Sequence, residues 1–428
     1  MVHLLLAAAL LRPQIPNEFY DYLNKKDASF HYEVTDVVKG EIKMTSQTWQ
    51  GHPWQHTILL KEPSEIKTKG TAILFITGDG PFRGDYLDLS LVTAATGMPT
   101  AMLFDIPNQP LNGMKEDDLI GFTFEKYLET KDPNWPLLFP MAKSAIRAMD
   151  VIEAVTKNTA NPIHQFVVTG ASKRGWTTWF VGASKDKRVK GIAPMVIDNL
   201  NVVKQMKHQM DSWGFYSEEI QDYTKRGLQQ KLATPTGMRL GKIVDPFSYR
   251  GNITVPTLIV KGANDPYWTV DAMSQYWDDL HQPKWVVTVP NAGHGLGNHI
   301  EAVESIGAFA RAIAGDFKLP KMRWGISQQP GKDRTLKVVL DTQGPPLAKL
   351  TFWVAESDTL DFRKSTYRAN GVLEIQGADG NLSGKANPMM LVSTDHTKNI
   401  AVFGEARYKI GSRQFCLCSP TKVFTKVP

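Results

Sequence analysis

The segment QFVVTGASKRGWTTW, residues 165–179, carries the strongest indication of the fold. Its apolar start is typical of a strand buried on both faces and its end has helical spacing, so it predicts a strand, a tight turn and a helix. Gly170, Ser172 and Gly175 stand at the turn. An elbow of this kind needs a small residue two positions before the serine, because neighbouring chains approach closely there, and it exposes the serine hydroxyl at the carboxyl edge of the sheet.

The elbow departs from the usual pattern in one position. Glycine usually stands two residues after the nucleophile, whereas here Arg174 occupies that position and Gly175 follows it. A motif of this kind alone is more often a plain strand-to-helix turn. Ser172 therefore needs partners elsewhere in the chain before it is interpreted as a nucleophile.

Short apolar runs, each followed by a helical pattern, continue on both sides of the elbow. They are TAILFIT, PTAMLFDIP, QFVVTG, KGIAPMVID, PTLIVKG and KWVVTVP, preceded by alternating residues 30–62 that suit antiparallel strands. Buried strands that alternate with helices imply right-handed crossovers and a mainly parallel sheet. The sequence therefore predicts an α/β class protein with a doubly wound sheet of the α/β-hydrolase type over residues 19–319.

Two segments depart from this pattern. Residues 198–255 are polar, rich in Gln and Lys and partly helical, and an insertion of this size favours a cap over the carboxyl edge of the sheet. After Leu319 and Pro320 the sequence alternates again, with turn residues between the runs. This pattern predicts a separate antiparallel β-sandwich domain over residues 320–428.

Two further strand ends supply the partners that Ser172 needs. KGANDPYW ends one strand with a turn that holds Asp265, and PNAGHGLG ends the next with a turn that holds His294, in the chain order of α/β-hydrolases. A serine hydroxyl is a weak nucleophile until an imidazole takes its proton, and a carboxylate orients that imidazole. We therefore predict a catalytic triad of Ser172, Asp265 and His294. Asp198, which also follows a strand, is the rival acid.

Backbone amides for an oxyanion hole are expected next to the nucleophile, at Lys173, and in the loop TGDGPFRGD after the TAILFIT strand. Gly78, Asp79 and Gly80 are the candidates in that loop, although a turn that merely requires glycine would look the same. The cationic side chains of Lys173 and Arg174 bind an anionic substrate group in one interpretation. In the other, Arg174 is anchored to an internal carboxylate.

Composition argues against several other classes of function. Lys and Arg number 49 against 43 Asp and Glu, but the excess is spread along the chain, so no nucleic-acid partner is expected. Cys416 and Cys418 share one face of a strand pattern, which predicts buried free thiols instead of a strained local disulfide. No His or Cys cluster has zinc spacing, so neither a metal nor a cofactor is expected. The expected partner is a small-molecule, peptide or glycan ester.

The N-terminal run LLLAAALL (residues 4–11) is too short to cross a bilayer, which requires roughly 20 apolar residues. No membrane span is therefore predicted. The position and small residues of the run suit a secretory signal, although a basic segment before it is absent. We interpret residues 1–18 as an export signal or a disordered start, with the beginning of an ordinary helix as the alternative.

Several motifs together resemble one known family. VTGASKRGW, WPLLFPMAKSAIRAMD, KGANDPYW, PNAGHGL and FWVAESDTLDFRKS are similar to segments of the PhoPQ-activated pathogenicity-related proteins, whose eukaryotic members include autocrine proliferation repressors of social amoebae. The resemblance extends from about Phe19 to about Tyr408. It implies an α/β-hydrolase fold followed by a small β-domain, a triad at Ser172, Asp265 and His294, and export from the cell. It implies no substrate.

Two functions are compatible with these patterns. The leading hypothesis is a serine hydrolase that cleaves an ester or amide through an acyl-enzyme. The alternative is a secreted signalling protein that keeps the hydrolase scaffold but binds a cell-surface receptor, because a fold does not fix a function. The presence of all three triad residue types favours the hydrolase.

Overall fold

The protein is described here by a computed structural model that covers residues 14–297, 299–329, 334–374, 384–386 and 388–426. Its strands are β1 (His31–Asp36), β2 (Glu41–Trp49), β3 (His52–Lys61), β4 (Thr71–Ile76), β5 (Thr100–Leu103), β6 (Gln165–Ala171), β7 (Val189–Met195), β8 (Thr257–Gly262), β9 (Lys284–Val289), β10 (Lys321–Gln328), β11 (Arg334–Gly344), β12 (Leu347–Ser357), β13 (Arg368–Glu374), β14 (Gly384–Ala386), β15 (Met389–Thr394), β16 (Asn399–Ile410), β17 (Arg413–Cys418) and β18 (Lys422–Phe424). Its α-helices are α1 (Glu18–Asn24), α2 (Asp85–Thr96), α3 (Glu116–Thr130), α4 (Leu138–Thr156), α5 (Lys173–Ala183), α6 (Val202–Trp213), α7 (Gln221–Thr224), α8 (Leu228–Lys231), α9 (Pro235–Val244) and α10 (Ile300–Ile313).

A parallel block forms the middle of the larger sheet. β5, β4, β6, β7, β8 and β9 lie side by side in that order, and each neighbouring pair is parallel. Helices cover both faces, which explains the continuous apolar runs: Leu74 and Val168 pack in one cluster with α4 and α5, whereas Ile73 and Val167 pack in another with α10. The predicted doubly wound α/β-hydrolase fold is confirmed.

Chain order reverses beside β4, and this position determines where a ligand can bind. β4 lies between β5 and β6, so the chain leaves it first towards one edge of the sheet and later towards the other. In open α/β sheets, ligands bind at the carboxyl ends of the strands beside such a reversal. The loop after β4 holds Gly78, and the turn after β6 holds Ser172.

Antiparallel strands extend the parallel block at one edge, and a helical segment interrupts it. β1, β2 and β3 form an antiparallel ribbon that joins the block through β5, in agreement with the alternating pattern of residues 30–62. Between β7 and β8 the chain forms α6, α7, α8 and α9, which we call the cap. Within the described residues, no helix is long and apolar enough to cross a membrane. The apolar run at residues 4–11 lies outside the described residues.

The strands after Pro320 form two packed antiparallel sheets. β10, β11, β14 and β15 make one sheet, and Leu336 and Val338 from it pack against Phe352 and Val402 of the other. The second sheet is not separate from the parallel block, because β17 pairs with β9 through Cys418 and Val286. Cys416 and Cys418 are buried and free, as predicted. The region after Pro320 was expected to form a separate sandwich. It consists of two packed sheets, and one of them is continuous with the sheet of the hydrolase domain.

Close packing fixes the elbow between β6 and α5. A Cβ atom added to Gly175 would lie 2.7 Å from the Met195 carbonyl oxygen and 2.7 Å from Ile197 Cγ2. A Cβ atom on Gly170 would lie 2.8 Å from the Arg174 carbonyl oxygen. Real Cβ atoms do not approach backbone oxygens this closely, so Gly170 is needed for α5 to contact β6 and Gly175 for α5 to contact β7.

Replacing Gly175 with alanine should therefore destabilise the protein. We expect Gly175→Ala to lower the free energy of unfolding by about 1–3 kcal/mol, the usual range for overpacking. The matched control is Gly84→Ala, since an added Cβ atom there meets nothing within 4 Å. Thermal melting of the two variants checks the expectation, and equal melting temperatures would contradict it.

Candidate active site

Ser172 stands between β6 and α5 in a strained backbone conformation, with φ 57° and ψ −122°. Non-glycine residues rarely adopt a positive φ, and strain of this kind is typical of a nucleophile elbow. The Ser172 amide donates to the Met195 carbonyl at 2.9 Å, and its carbonyl accepts from the Trp176 amide at 2.9 Å. These bonds attach the turn to β7 on one side and to the first turn of α5 on the other.

The predicted histidine and acid are paired. His294 Nδ1 lies 2.9 Å from Asp265 Oδ2 and 3.1 Å from Asp265 Oδ1. His294 Nε2 is buried and has no hydrogen-bond partner among the described residues. His294 and Ser172 line the same cavity, so the structure brings the three predicted residues to one place. Their catalytic role stays a prediction.

The rival acid is occupied elsewhere. Asp198 accepts a hydrogen bond from Lys261 Nζ at 2.6 Å, and its other oxygen accepts from the Tyr276 hydroxyl. All three side chains are buried. Asp198 thus neutralises an internal lysine, whereas Asp265 is the carboxylate that contacts His294.

Tyr267 supports both members of the His–Asp pair. Its ring stacks on the His294 ring, with centroids 4.2 Å apart and planes inclined by 30°. Its backbone amide donates to Asp265 Oδ1 at 3.0 Å. One residue therefore restrains the plane of the imidazole and the position of the carboxylate that holds it. Both aromatic residues of the KGANDPYW turn, Tyr267 and Trp268, line the same cavity.

Arg174 is anchored to an internal carboxylate. Its Nη1 and Nη2 atoms each lie 2.7 Å from an oxygen of Glu116, and its Nε atom donates to the Ile106 carbonyl. Arg174 is only 9% exposed, and Lys173 Nζ pairs with Asp117 at 2.9 Å. The interpretation in which these cations bind an anionic substrate group is therefore wrong for Arg174, whose donors are used within the fold.

The same ion pair changes the acidity of Glu116. Burial favours a raised pKa, but the hydrogen bonds and charge of Arg174, together with Gln109 and Lys173, outweigh it and lower the pKa to about 2.

Cations at the start of a helix oppose its dipole, so Lys173 and Arg174 at the start of α5 require compensating carboxylates. Glu116 and Asp117, at the start of α3, supply them.

The candidate oxyanion donors lie in two places. Lys173 follows the serine at the first position of α5 and lines the cavity, so its amide is next to the site. Gly78 lies against Arg174, because an added Cβ atom would be 2.7 Å from Nη2. The Asp79 side chain pairs with Lys115 at 2.8 Å, and the Gly80 amide donates towards an Asp105 oxygen at 3.4 Å. None of these three loop residues is among the described residues that line the cavity.

The cavity beside Ser172 is mainly apolar and has a volume of about 100 Å³. Its apolar walls come chiefly from the cap and from α3: Phe124, Leu128, Trp176, Ile197, Val202, Met206, Ile220, Leu228, Leu232, Leu240 and Val244. The sequence analysis did not identify these cap residues. Their spacing on α6 and α9 is amphipathic, but that pattern does not show which surface an apolar face will cover.

Ion pairs attach the cap to α3. The Tyr223 hydroxyl donates to Asp117 at 2.8 Å, and burial beside that carboxylate raises the pKa of Tyr223 well above its ordinary value. Arg226 pairs with Asp118 at 2.7 Å and also with Glu125. The basic side of the cap thus lies on an acidic face of α3.

Comparisons with known proteins identify the relatives of this chain. Residues 19–363 match the model of the PhoPQ-activated pathogenicity-related protein family, as the motifs predicted. Autocrine proliferation repressor protein A of Dictyostelium discoideum is 31% identical in an alignment 392 residues long, which covers 84% of this chain and 78% of that protein. An acetyl xylan esterase from Paenibacillus sp. R4 superposes with a TM-score of 0.48 and 17% identity over 69% of this chain and 92% of its own. An S-formylglutathione hydrolase from Agrobacterium tumefaciens superposes with a TM-score of 0.42 and 11% identity over 65% of this chain and 96% of its own.

The Glu116 ion pair predicts an acid-dependent stability. Because the folded-state pKa of about 2 lies below the ordinary value of 4.5, the contribution of the charged carboxylate is complete above about pH 4.5 and is lost as the pH falls towards 2. The melting temperature of the wild type should therefore exceed that of Glu116→Gln by a constant amount above pH 5, and the gap should narrow from pH 4.5 to pH 3. The control is Glu129→Gln, which removes an exposed ion pair with Lys126 from the same helix. Its melting temperature should stay close to that of the wild type at every pH. A difference in melting temperature between the wild type and Glu116→Gln that stays constant down to pH 3 would argue against this ion pair.

Proposed function

We propose that this chain, which belongs to the PhoPQ-activated pathogenicity-related protein family, is a serine hydrolase that cleaves an ester or amide through an acyl-enzyme. The observation that carries the proposal is the Asp265–His294 pair at the cavity that Ser172 also lines. An imidazole whose Nδ1 atom is held by a carboxylate has its Nε2 atom free to accept a proton. In this chain that Nε2 atom is buried and has no hydrogen-bond partner in the described part of the structure.

The proposed reaction follows from these positions. His294 Nε2 takes the proton of the Ser172 hydroxyl while Oγ bonds to the carbonyl carbon of the substrate, and Asp265 stabilises the imidazolium that forms. The Lys173 amide donates to the oxyanion. His294 then gives the proton to the leaving group as the ester or amide bond breaks, and water releases the acyl group by the same steps. A second oxyanion donor from Gly78 or Asp79 stays a prediction.

Removing the nucleophile tests the proposal directly. We expect Ser172→Ala to abolish labelling by a fluorophosphonate probe and to lower kcat for any ester that the wild type cleaves by roughly 10⁴–10⁶. The melting temperature should remain close to that of the wild type, because one oxygen is removed from a turn. Ester turnover within tenfold of the wild-type rate would exclude Ser172 as the nucleophile.

The acid is tested by two parallel variants. Asp265→Asn should lower kcat by about 10⁴, because the imidazole loses the partner that fixes its tautomer. Asp198→Asn should instead lower the melting temperature and retain probe labelling, since Lys261 would be left as an uncompensated buried charge. The opposite pair of results would assign the acid to Asp198.

A second function is favoured by one specific observation, the name of the relative from Dictyostelium discoideum. On this alternative the chain is a secreted repressor of proliferation that uses the hydrolase scaffold to bind a cell-surface receptor. Ser172→Ala distinguishes the two functions in a proliferation assay with the purified proteins. Repression by the wild type alone supports the hydrolase, and equal repression by both proteins supports receptor binding.

A further inference from the structure

Asn199 has a carboxamide without a partner inside the cavity. The residue lies in the loop between β7 and α6, is 3% exposed and lines the cavity together with Ser172 and His294. Its Oδ1 atom is fully buried and accepts no hydrogen bond from the described residues. Other polar side chains of this loop are engaged, because Asp198 pairs with Lys261 and Asn201 Nδ2 donates to a backbone carbonyl at 3.0 Å.

An unpaired amide in this position requires a physical explanation. Buried polar groups in folded proteins are almost always hydrogen-bonded, and an unpaired one opposes folding. The fold could place an apolar side chain of the same shape here without that disadvantage. Trp268 Nε1, a donor that lines the same cavity, is also buried and unpaired. Two residues of the cavity wall thus carry an acceptor and a donor that have no partner among the described residues.

Charge in the cavity limits what can pair with these groups. Its charged side chains already have partners: Lys173 pairs with Asp117 at 2.9 Å, and Lys231 contacts Glu125 at 3.3 Å. Asp245, which also lines the cavity, accepts from two backbone amides at 2.9 Å. An anionic ligand would therefore enter an apolar space in which the cations of the described residues are already neutralised. Burying such a charge without a partner is strongly unfavourable.

We propose that Asn199 is a specificity-determining residue that selects uncharged, largely apolar esters carrying one hydroxyl or amide group, by hydrogen-bonding to that group. The inference rests on the proposed hydrolase function and names the substrate class of the same site. The carboxamide offers both a donor and an acceptor, so it accommodates a hydroxyl or an amide in either orientation. Apolar walls from the cap bind the remainder of the substrate.

Four 4-nitrophenyl esters test the wild-type protein: phenylacetate, its 3-hydroxy and 4-hydroxy derivatives, and its 4-carboxy derivative. The methylene group separates the ring substituent from the reacting carbonyl, so differences in kcat/KM report recognition more than intrinsic reactivity. At least one hydroxyl ester should exceed the parent ester by about tenfold, the scale of one hydrogen bond to a buried group. The carboxylate ester should fall below the parent.

Asn199→Leu separates recognition from a structural role. In this variant kcat/KM for the hydroxyl ester should fall to the value for the parent ester, so that the preference disappears, and the melting temperature should not fall, because an apolar group replaces an unpaired polar one. Met206→Leu is the control, since it changes an apolar wall of the same cavity and should affect all four esters alike.

Each outcome decides the inference. A lowered melting temperature with equal loss on all esters would make Asn199 structural, and a wild-type preference for the carboxylate ester would overturn the assignment of an uncharged substrate. Turnover that depends on Ser172 but shows no preference for either hydroxyl ester would overturn this inference alone. Turnover of the parent ester that survives Ser172→Ala would instead reject the proposed function.

Discussion

The guanidinium of Arg174 holds together the segments that surround the site. It binds Glu116 at the start of α3 and the Ile106 carbonyl after β5, and it lies against Gly78 after β4. Each of these segments leaves the carboxyl edge of the sheet, where loops would otherwise be free to move. Arg174 is buried, so removing Glu116 would leave its charge without this partner and would destabilise the fold. The position of the Ser172 turn is therefore coupled to that of α3.

α3 transmits this constraint to the cap. Its first turn carries three adjacent carboxylates. Glu116 and Asp117 pair with Lys173, the residue after the serine. Asp117 and Asp118 also bind the cap, through Tyr223 and Arg226. The cap contributes most of the apolar wall of the cavity, and the elbow contributes Ser172. One acidic helix end thus links the Ser172 turn to the cap residues that line the cavity. A displacement of the cap is therefore expected to alter the position of the Ser172 turn, because ion pairs as well as packing connect the two.

Local patterns allowed the sheet, the elbow and the His–Asp pair to be predicted from sequence, because buried strands are continuous apolar runs and their ends are marked by turn residues. Arg174 and Glu116 are 58 positions apart, and no local pattern shows that two such charges will meet. An internal carboxylate was one of the two partners considered for Arg174, but Glu116 was not identified from the sequence. The joining of β17 to β9 was missed because it depends on a single residue pair between distant strands. The unpaired amide of Asn199 is a property of three-dimensional packing that sequence alone does not contain.

The shifted glycine of the elbow follows from the same packing. The usual pattern places glycine two residues after the nucleophile, where the helix passes close to a neighbouring strand. Here the close approach occurs one residue later, since a Cβ atom on Gly175 would contact the Met195 carbonyl. Arg174 tolerates the intervening position because its side chain points away from this contact, towards Glu116 and Ile106. The form GxSxxG is therefore compatible with a nucleophile elbow. The condition is that the residue before the last glycine, here Arg174, binds a partner outside the turn.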